Sequence, residues 1–487
     1  MQLCNKNLNQ LPASVQRPHY DRNQVVPAIV HLGVGAFHRA HQAVMTDAVL
    51  ASGDLGWGIV GAGLMTTSTR DALAPQDGLY TLVERAAGSE TLHVIGSIVE
   101  LLGGAADLAQ VLDRMCAPST RIVSLTVTEK GYYLDPASGK LQLQAPAIQD
   151  DLANPATPRT ILGLIVQALS HRKANAVAPF TVLSCDNLPS NGKTAKAAVL
   201  AFAREVDADL ASWIEANVSF PCSMVDRITP ATTDADRAYV DAQLGMADAW
   251  PIVTEQFVQW VIEDNFTMGR PDWTLGGAVF SNEIEAWEDM KLRCLNGAHS
   301  TLAYLGQLTG RETVAEAMQL PLITGLLDAL WLEVREVLKA PAGVDPADYV
   351  EQLKLRFCNP ALKHRTVQIA MDGSQKLPQR LLATLRERIA ADLPSPTLAT
   401  AIAAWMHFAV KTAHTPGAVL SDPLSNDILA KARASNDSAA IIDNLLGIDK
   451  IFGSDLKTNS GFKAELLEGF RRLATHPEVA TAPQITL

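Results

Sequence analysis

The length, composition and charge of the chain limit its class before any motif is considered. Its 487 residues exceed the roughly 250 to 300 at which one hydrophobic core stops growing, so two domains are expected. With 48% apolar and 19% charged residues, a net charge of −12 and no basic tract, the chain is predicted to be globular and not to bind nucleic acid. No apolar run approaches the roughly 18 residues of a membrane span, and residues 1–12 lack the features of a signal peptide, which predicts a cytoplasmic protein with no membrane partner.

The first half of the chain alternates short apolar runs with polar turns and helical patterns. The segment "AIVHLGVGAFHRAHQAVMTDAVLAS" predicts a strand, a glycine turn and a helix, and "WGIVGAGL" predicts a second strand. "RIVSLTVTEKGYY" and "FTVLSCDNLPSNGKTAKAAVLAFA" each predict a strand that ends in a polar turn, and the second of these turns leads into a helix. This alternation predicts an α/β fold, in which a doubly wound, largely parallel sheet of Rossmann type carries helices on both faces and binds ligands at the carboxyl ends of its strands.

The pattern becomes helical from about residue 284 onwards. "IEAWEDMKLRCLNGAHSTLAYLGQL", "ITGLLDALWLEVREVL", "DYVEQLKLRF" and "TLATAIAAWMHFAV" all carry apolar residues at helical spacing. The sequence therefore predicts a Rossmann-type domain at 1–283 and a mainly α-helical C-terminal domain at 284–487.

The turn "GVGAFHRAH" after the first predicted strand carries part of a dinucleotide-binding fingerprint. Gly33 and Gly35 match its first two glycines, whose missing side chains allow a tight turn and a close approach of the backbone to a pyrophosphate. His38 stands at the third glycine position, and Arg39 adds a cation where phosphate charge would lie. The same residues also fit an ordinary turn between a strand and a helix. The turn residues predicted to contact a dinucleotide are Gly33, Gly35, Phe37, His38 and Arg39.

Two further predicted loops follow strands at the same edge of the sheet. "TVTEKGYY" contains Glu129, which is predicted to contact the cofactor. "LSCDNLPSNGKT" contains Asn187, which could hydrogen-bond a nicotinamide ribose or a substrate hydroxyl. Polar residues of this kind are equally typical of turns and helix caps. After the second strand, "MTTSTRD" lacks an acidic residue at the position that usually binds the ribose hydroxyls, and Arg70 could accept a 2'-phosphate. The choice between NAD and NADP stays open at this point.

The segment "KLRCLNGAHS" places an amine, an amide and an imidazole among apolar neighbours. At about 100° per residue on an α-helix, Glu288 and His299 lie about 60° and 80° from Lys291, on the same side, and Asn296 follows at about 140°. Lys291 could act as a general base if burial lowers its pKa. Asn296 and His299 could donate hydrogen bonds to a carbonyl oxygen that gains negative charge. The alternative is a solvated helix face with one core histidine.

Metal ligands are sparse in the sequence. The six cysteines are scattered and contain no C-x-x-C, which indicates free thiols. His38 and His41 form an H-x-x-H to which no further ligand can be assigned. The chain is therefore predicted to bind no metal ion.

Six segments in order resemble the polyol-specific long-chain dehydrogenase/reductase family over nearly the whole chain. They are "IVHLGVGAFHRAHQA", "SLTVTEKGYY", "SCDNLPSNG", "FPCSMVDRITP", "QFVQWVIEDNF" and "KLRCLNGAHSTLAYLG". The resemblance implies a metal-independent oxidoreductase that uses NAD, with NADP as the open alternative. It also implies that residues 1–283 bind the dinucleotide and that residues 284–487 bind the substrate and carry out catalysis.

Residue roles are implied by the same resemblance. The motif K-x4-N-x2-H implies Lys291 as the general base, with Asn296 and His299 positioning the reacting oxygen. Glu288 matches a carboxylate of a proton relay. In the first domain, the implied site residues are Asn187, which assists catalysis, and Asp226, which lines the substrate site.

The stretch "LKHRTVQIAMDGSQKLPQR" bears on the substrate. Members of the family that act on mannitol place an arginine eight residues before the lysine of D-G-S-x-K, and this chain has Gln368 there. The stretch instead resembles the hexuronate branch, which implies interconversion of D-fructuronate and D-mannonate, with Arg365 or Lys376 binding the carboxylate. The alternative within the family is D-fructose and D-mannitol or another polyol. Outside enzymes, the alternative is a dinucleotide-binding sensor, and the intact K-x4-N-x2-H motif argues against it.

Overall fold

The computed structural model describes residues 1–86, 88–135 and 138–480 of the chain. The chain divides into two compact units, Met1–Glu285 and Ala286–Leu487. All strands found in the described residues lie in the first unit, and the second unit consists of helices and their connections. None of the described helices is long and apolar enough to cross a membrane.

The first unit is organised around a parallel sheet. Its strands are β1 (Pro27–Leu32), β2 (Gly58–Gly63), β3 (Tyr80–Ala86), β4 (Ser89–Ile95), β5 (Ile98–Gly103), β6 (Ile122–Leu125), β7 (Thr181–Ser184), β8 (Ser223–Asp226), β9 (Ile252–Glu255), β10 (Gln259–Ile262) and β11 (Val279–Phe280). Five of them form the central sheet in the order β5-β2-β1-β6-β7, with every neighbouring pair parallel. This order confirms the predicted Rossmann-type sheet. It places the topological switch point, where folds of this kind bind ligands, between β1 and β6.

Helices accompany these strands. They are α1 (Ala36–Ala40), α2 (Gln42–Ala51), α3 (Ser68–Leu73), α4 (Leu108–Cys116), α5 (Pro146–Ala153), α6 (Ile161–Ala174), α7 (Asn191–Val206), α8 (Ala208–Asn217) and α9 (Asp234–Leu244). The helix predicted after the glycine turn is present but divided, because the backbone leaves the helical region at His41, with φ −127° and ψ −93°. The strand, turn and helix of the prediction are otherwise in place.

Successive residues of the central strands face two different hydrophobic cores. Val30 and Leu32 of β1 belong to a core shared with α4, α6 and α7. Ile29 belongs to a second core shared with α1 and α2. Because side chains alternate between the faces of a strand, both faces of the sheet are covered by helices. This double burial explains why the strands read as nearly continuous apolar runs in the sequence.

Two three-stranded sheets in the same unit are not predicted by the sequence patterns above. In one, β3 pairs with β4 in antiparallel and with β9 in parallel orientation. In the other, β10 pairs with β8 in antiparallel and with β11 in parallel orientation. The second sheet contains a predicted site residue, because β8 ends at Asp226.

The second unit is helical, as predicted. After α10 (Ile284–Met290), which spans the unit boundary, its helices are α11 (Gly297–Thr309), α12 (Val314–Ala317), α13 (Pro321–Val337), α14 (Pro346–Phe357), α15 (Thr366–Ile369), α16 (Gly373–Leu377), α17 (Ala383–Ala390), α18 (Pro396–His414), α19 (Ser425–Arg433), α20 (Ser438–Leu446), α21 (Asp449–Thr458) and α22 (Ser460–Ala474). The alanine-rich α18 is buried over most of its length and forms the centre of this unit. It packs tightly on α22, since a Cβ at Gly469 would lie 3.0 Å from Thr400 Cα.

Two segments of the second unit are π-helical. Lys291–Asn296 connects α10 to α11, and Pro378–Leu382 connects α16 to α17. In a π-helix the backbone hydrogen bonds join residues five apart, and such segments are rare and concentrated at functional sites. The two segments lie close together, because a Cβ at Gly297 would come within 2.9 Å of Arg380 O.

Candidate functional site

The glycine turn after β1 contains two glycines in different surroundings. Gly33 has φ +100°, and a Cβ there would lie 2.2 Å from Thr126 O, so the turn packs directly against the end of β6. The Gly33 N–H donates to Ala62 O at 2.8 Å. Gly35 is exposed, and a Cβ added to it would meet only Gly33 O, at 3.7 Å. The open backbone at Gly35 and the tight turn at Gly33 fit the pyrophosphate of a dinucleotide.

A buried histidine supports this turn from within the sheet. His31 Nε2 lies 2.8 Å from Thr126 Oγ1, and the Thr126 hydroxyl donates to Gly33 O at 2.7 Å. His31 Nδ1 lies 2.8 Å from Ser124 Oγ. Burial lowers the pKa of His31 to about 3, so the ring is neutral at physiological pH.

His38 and Arg39 lie inside the protein. The His38 ring stacks on His31 with 3.5 Å between centroids, and neither of its nitrogens has a hydrogen-bond partner among the described residues. Arg39 donates to Trp250 O at 2.7 Å, and its guanidinium carbon lies 5.3 Å from the ring centroids of both Tyr80 and Trp250. Its Nε also donates to Gly35 O at 3.4 Å. The predicted phosphate contact of Arg39 is not supported by this position, because the guanidinium is directed to two backbone carbonyls and two aromatic rings.

The loops after β6 and β7 are joined by Asp186. Its Oδ1 accepts hydrogen bonds from the backbone N–H groups of Val127 and Thr128 at 2.8 and 2.7 Å. Its Oδ2 accepts one from the Tyr132 hydroxyl at 2.7 Å. Burial raises the pKa of Asp186, and these hydrogen bonds act in the opposite direction. The sequence indicates Asp186 only as a turn residue, because its partners lie more than fifty positions away.

Glu129 and Asn187 lie on these same two loops. Glu129 begins the 3-10 helix Glu129–Tyr132, Asn187 follows β7, and both residues are exposed. Phe37 is half-buried in α1. All three residues lie beyond the carboxyl ends of strands of the central sheet, the edge at which the sequence predicts the cofactor. Their contacts with a cofactor stay predictions.

Asp226 ends β8 and is buried. Asn191, the first residue of α7, fixes the other end of this strand. Its Nδ2 donates to Ser223 O at 2.8 Å, and its Oδ1 accepts from Ser223 N at 2.9 Å. The next residue, Arg227, is also buried and donates to Ala40 O at 2.5 Å. Asp226 is therefore held on a rigid strand, and its contact with a substrate stays a prediction.

Arg70, the residue considered for a 2'-phosphate, is bound to two carboxylates. It forms ion pairs with Asp71 at 2.8 Å and with Asp107 at 2.6 Å. Its Nη1 also donates to Gly103 O at 3.0 Å. Two carboxylates next to the guanidinium disfavour an additional phosphate, so the arrangement favours NAD over NADP.

The motif predicted to be catalytic is buried in the second unit. Lys291, Asn296 and His299 each expose 7% of their surface, so the alternative of a solvated helix face is wrong. Lys291 and Asn296 are the first and last residues of a π-helical segment, and His299 lies in the first turn of α11. The angles of about 80° and 140° predicted between these side chains assumed a continuous α-helix. They do not hold, because π-helical hydrogen bonding changes the angular spacing of residues.

Two buried nitrogen atoms of this motif make no hydrogen bond to the described residues. Asn296 Nδ2 and His299 Nε2 are buried and lack a partner in the part of the chain that the structure describes. An unpaired buried polar atom costs about 1–3 kcal/mol, and an oxygen atom of a ligand would satisfy both. Burial, followed by the charges of neighbouring basic groups, lowers the pKa of His299 well below its usual value. A neutral imidazole protonated on Nε2 can donate a hydrogen bond to such an oxygen.

His299 packs against two rings, those of Phe357 and of His364, the second of which lies in the stretch that resembles the hexuronate branch. The Phe357 ring lies 4.5 Å from it between centroids, and the His364 ring lies edge-on at 5.3 Å. Burial, with the charge of Arg356, lowers the pKa of His364 to about 4. His364 lies within the "LKHRTVQIAMDGSQKLPQR" stretch and Arg356 shortly before it, but only the fold shows that they are close to His299.

The acidic and basic residues beside Lys291 have separate surroundings. Arg293 is paired with Asp289 at 3.0 Å and with Glu387 Oε1 at 2.7 Å, so it holds the π-helical segment to α17. Glu288 is half-buried in α10, one turn before Lys291. The position of Glu288 is compatible with the predicted proton relay.

Cations gather around His299 and Lys376. Arg356 and Arg380 lie close enough to His299 for their charges to lower its pKa. Burial, followed by Arg380, lowers the pKa of Lys376 to about 8. Arg365 is exposed at the start of α15, and its position gives no support to the predicted carboxylate contact. Of the two residues predicted for that role, the half-buried Lys376 fits it better.

No group of three or more His, Cys, Asp or Glu side chains in the described residues could hold a metal ion. In the H-x-x-H pair, His41 Nε2 lies 3.0 Å from Gln259 O, and His38 stacks on His31. The prediction that the chain binds no metal stays a prediction.

Two family models match the chain. "Mannitol dehydrogenase Rossmann domain" matches residues 27–275, and "Mannitol dehydrogenase C-terminal domain" matches residues 283–474. Together they cover most of both units.

Individual relatives match over almost their full length. The D-mannonate oxidoreductase of Escherichia coli (strain K12) is 45% identical over 465 residues, which cover 94% of this chain and 96% of that protein. The uncharacterized oxidoreductase YdfI of the same organism is 42% identical over 482 residues, 98% and 99% of the two chains. Among solved structures, the ternary complex of Pseudomonas fluorescens mannitol 2-dehydrogenase with NAD and D-mannitol is 40% identical, covers 98% and 97% of the two chains, and has a TM-score of 0.84.

Proposed function

The chain belongs to the mannitol dehydrogenase family, and we propose that it is an NAD-dependent oxidoreductase that interconverts D-fructuronate and D-mannonate. Residues 1–283 are proposed to bind the dinucleotide, and residues 284–487 to bind the substrate and carry the acid-base chemistry. The observation that carries the choice of substrate is the group of buried or half-buried cations near His299, because such a site is suited to an anionic ligand.

Lys291 is proposed to be the general base in the oxidation of D-mannonate. Its amine accepts the proton of the substrate hydroxyl as hydride leaves the carbon that bears it, and it returns a proton in the reduction. A bound nicotinamide accepts or supplies that hydride. Glu288, one turn earlier, is proposed to relay the proton between Lys291 and solvent.

Asn296 and His299 are proposed to bind the reacting oxygen. Each has a buried nitrogen atom without a hydrogen-bond partner in the described residues, namely Asn296 Nδ2 and His299 Nε2, and the imidazole is proposed to carry its proton on Nε2. Donors held in place before the reaction stabilise an oxygen that gains negative charge, and they need no rearrangement at that moment. The two donors therefore lower the barrier in both directions.

The carboxyl edge of the central sheet is proposed to bind NAD. Gly33 and Gly35 form the turn for the pyrophosphate, with Phe37 and His38 beside it. Glu129 and Asn187 are proposed to contact the nicotinamide half of the cofactor. The related Pseudomonas fluorescens enzyme binds NAD, and the ion pairs of Arg70 support the same preference here.

Two observations support a hexuronate over a hexitol. Gln368 is found where family members that act on mannitol are expected to have an arginine. The identity of 45% with a D-mannonate oxidoreductase is higher than the 40% with the mannitol 2-dehydrogenase of known structure. Lys376 is proposed to bind the substrate carboxylate, and Asp226 to bind a substrate hydroxyl.

A mannitol 2-dehydrogenase is the second candidate. It is favoured by the TM-score of 0.84 with a structure that contains D-mannitol. Asn296, His299 and Lys291 would play the same parts on that substrate, so only the groups that contact the far end of the substrate separate the two candidates.

Initial rates of NADH oxidation with D-fructuronate and with D-fructose at matched concentrations test the proposal. The same rates are measured with NADPH, and Lys291→Ala prepared in parallel controls for contaminating dehydrogenases. We expect a large preference for D-fructuronate and for NADH. A preference for D-fructose would make the protein a mannitol 2-dehydrogenase and would overturn the use of Gln368 as a discriminator.

A further inference from the structure

The guanidinium of Arg380, in the second π-helical segment, is only partly satisfied by the protein. Its Nη1 donates to Asn296 O at 3.4 Å and to Ser300 Oγ at 3.1 Å. Its Nε and Nη2 have no acceptor, and the group has no carboxylate partner, within residues 1–86, 88–135 and 138–480. Burial lowers the pKa of Arg380 to about 10, so the group remains charged at neutral pH.

Two fully buried arginines of this chain show what a fully satisfied guanidinium looks like. Arg172 uses all three nitrogens, donating to Ala178 O at 2.7 Å, to Met115 O at 2.9 Å and to Thr120 O at 3.0 Å. Arg388 also uses all three nitrogens, on backbone and side-chain oxygens. Arg380 is half-buried, so a ligand can reach its Nε and Nη2, and an anion bound there would supply the partner that these two nitrogens lack.

The side of the Arg380 guanidinium that carries Nε and Nη2, called its free edge, has the geometry that binds a carboxylate through two hydrogen bonds. Nε–H and Nη2–H of an arginine are parallel donors that match the two oxygens of one carboxylate. Arg380 also lies near the two residues proposed to bind the reacting oxygen, since its Nη1 donates to Asn296 O and its charge lowers the pKa of His299. Lys376, whose pKa is lowered by Arg380, is the neighbouring cation. In D-fructuronate the carboxylate is at the far end of the six-carbon chain from the keto group, so its binding group is expected within one substrate length of the oxygen donors, in the same unit.

We propose that the Nε–Nη2 edge of Arg380 binds the carboxylate of the substrate, with Lys376 as the second cation of the same subsite. The inference rests on the proposed hexuronate function and assigns its specificity to a residue other than Arg365. Arg380 is then a substrate-binding residue that also donates a hydrogen bond to the backbone of Asn296. The same side chain therefore binds the substrate carboxylate and helps to position Asn296, which is proposed to donate to the reacting oxygen.

Steady-state kinetics of Arg380→Gln with an acidic and a neutral substrate test the proposal. The values of kcat/KM for D-mannonate and D-mannitol oxidation are compared, and D-gluconate is measured as a competitive inhibitor of whichever substrate turns over faster. Loss of a bidentate pair to a charged group is expected to lower kcat/KM for D-mannonate and to raise the inhibition constant of D-gluconate by about 100-fold. The kcat/KM for D-mannitol should change only a few-fold.

Three further variants control this experiment. Arg386→Gln removes an arginine of the same unit that is paired with Asp455 at the surface, and it should leave both substrates unchanged. Ser300→Ala removes an acceptor of Arg380 Nη1 without touching the free edge, so it should not alter the ratio between the substrates. Arg380→Lys keeps the charge and loses the fork, so it should recover part of the D-mannonate activity. It also serves as the test variant if Arg380→Gln fails to fold.

The outcomes separate this inference from the proposed function. An equal loss on D-mannonate and D-mannitol would show that Arg380 only positions Asn296 and would overturn the inference, as would a selective loss in Arg365→Gln instead. If the wild-type protein prefers D-mannitol, the proposed function fails, and the D-gluconate measurement still decides the role of Arg380. Inhibition that depends on Arg380 would then support the carboxylate subsite, and inhibition that is unchanged in Arg380→Gln would overturn it.

Discussion

The carboxylate of Asp186 accepts a hydrogen bond from the backbone N–H of Thr128 at 2.7 Å. Thr128 has φ 63° and ψ 170°, a region that is essentially restricted to glycine. Such a conformation costs about 1–3 kcal/mol for a residue with a Cβ and persists only where its surroundings enforce it. Asp186 provides that enforcement, and it lies immediately before Asn187, so the strained loop and the predicted cofactor-binding residue are held by one side chain.

Asp186→Ala is therefore expected to weaken NADH binding by about tenfold or more and to lower stability by about 2–4 kcal/mol, because two backbone N–H groups lose a charged acceptor. Thr128→Gly in the same background should restore part of both losses, because glycine adopts this conformation without strain. NADH titration by fluorescence and urea unfolding of the single and double variants measure the coupling. Strictly additive effects would contradict the enforced conformation.

Lys291→Met is expected to lower kcat by about 100- to 10,000-fold at neutral pH, because the substrate hydroxyl loses its general base while the buried volume is nearly kept. Steady-state kinetics measure the loss, and NADH affinity should stay within a few-fold of wild type. A collapse of NADH affinity would show that the lysine is structural.

His299→Ala is expected to lower kcat by about 100-fold or more, because the reacting oxygen loses one of two fixed donors. His407, a buried histidine of α18 whose Nε2 lies 2.8 Å from Phe470 O, provides the control. His407→Ala should lower the melting temperature and leave kcat nearly unchanged. An unchanged rate in His299→Ala would remove this residue from the mechanism.

Substrate charge selectivity is expected to depend on pH through Lys376. Its pKa of about 8 in the folded protein is lower than that of a free lysine, so the amine is charged below pH 8 and progressively neutral above it. The ratio of kcat/KM for D-mannonate to that for D-mannitol should therefore fall as pH rises through 8, whereas any effect of Lys291 cancels in the ratio. Lys376→Met should make the ratio independent of pH, and a ratio that rises with pH would contradict the assignment.

Gly33→Ala is expected to be far more damaging than Gly53→Ala, although both glycines have φ near +100°. A Cβ at Gly53 meets nothing within 4 Å, so this variant should lose only about 1 kcal/mol of stability for the backbone conformation. A Cβ at Gly33 would also collide with Thr126 O, which adds about 1–3 kcal/mol and displaces the turn. Urea unfolding and NADH titration compare the two, and equal effects would show that the contact with β6 does not matter.

The strands and helices that pack on two sides were predictable because burial leaves a clear pattern. β1 and β6 are mostly apolar, apart from the buried His31 and Ser124, since both faces are covered, and α18 is apolar around most of its circumference. The smaller sheets were not predicted. β8 and β10 join segments more than thirty residues apart, and the pattern within a short segment does not show which distant segment it pairs with.

The candidate site was predictable in its residue types and less so in its geometry. Lys291, Asn296 and His299 were identified from their spacing and from the family resemblance, and all three are buried in the same unit. The direction of Arg39 could not be read from the sequence, because Trp250 is more than two hundred residues away. The proposed role of Arg380 could not be read from the sequence either, because only the structure shows that its Nη1 donates to Asn296 and Ser300 while its Nε and Nη2 have no acceptor in the described residues.

The π-helical segment Lys291–Asn296 contains one residue more than the same length of α-helix would hold, because its hydrogen bonds join residues five apart. Deleting one residue from it would leave an uninterrupted α-helix from Ile284 to Thr309, with ordinary hydrogen bonds and its apolar character intact. Such a deletion would leave His299 facing almost the same way relative to Lys291, because the wider turn already takes up the extra residue. Deleting Ala298 of α11 would instead turn His299 by about 100° relative to Lys291, so the chain tolerates a change of length inside the π-helical segment and not next to it.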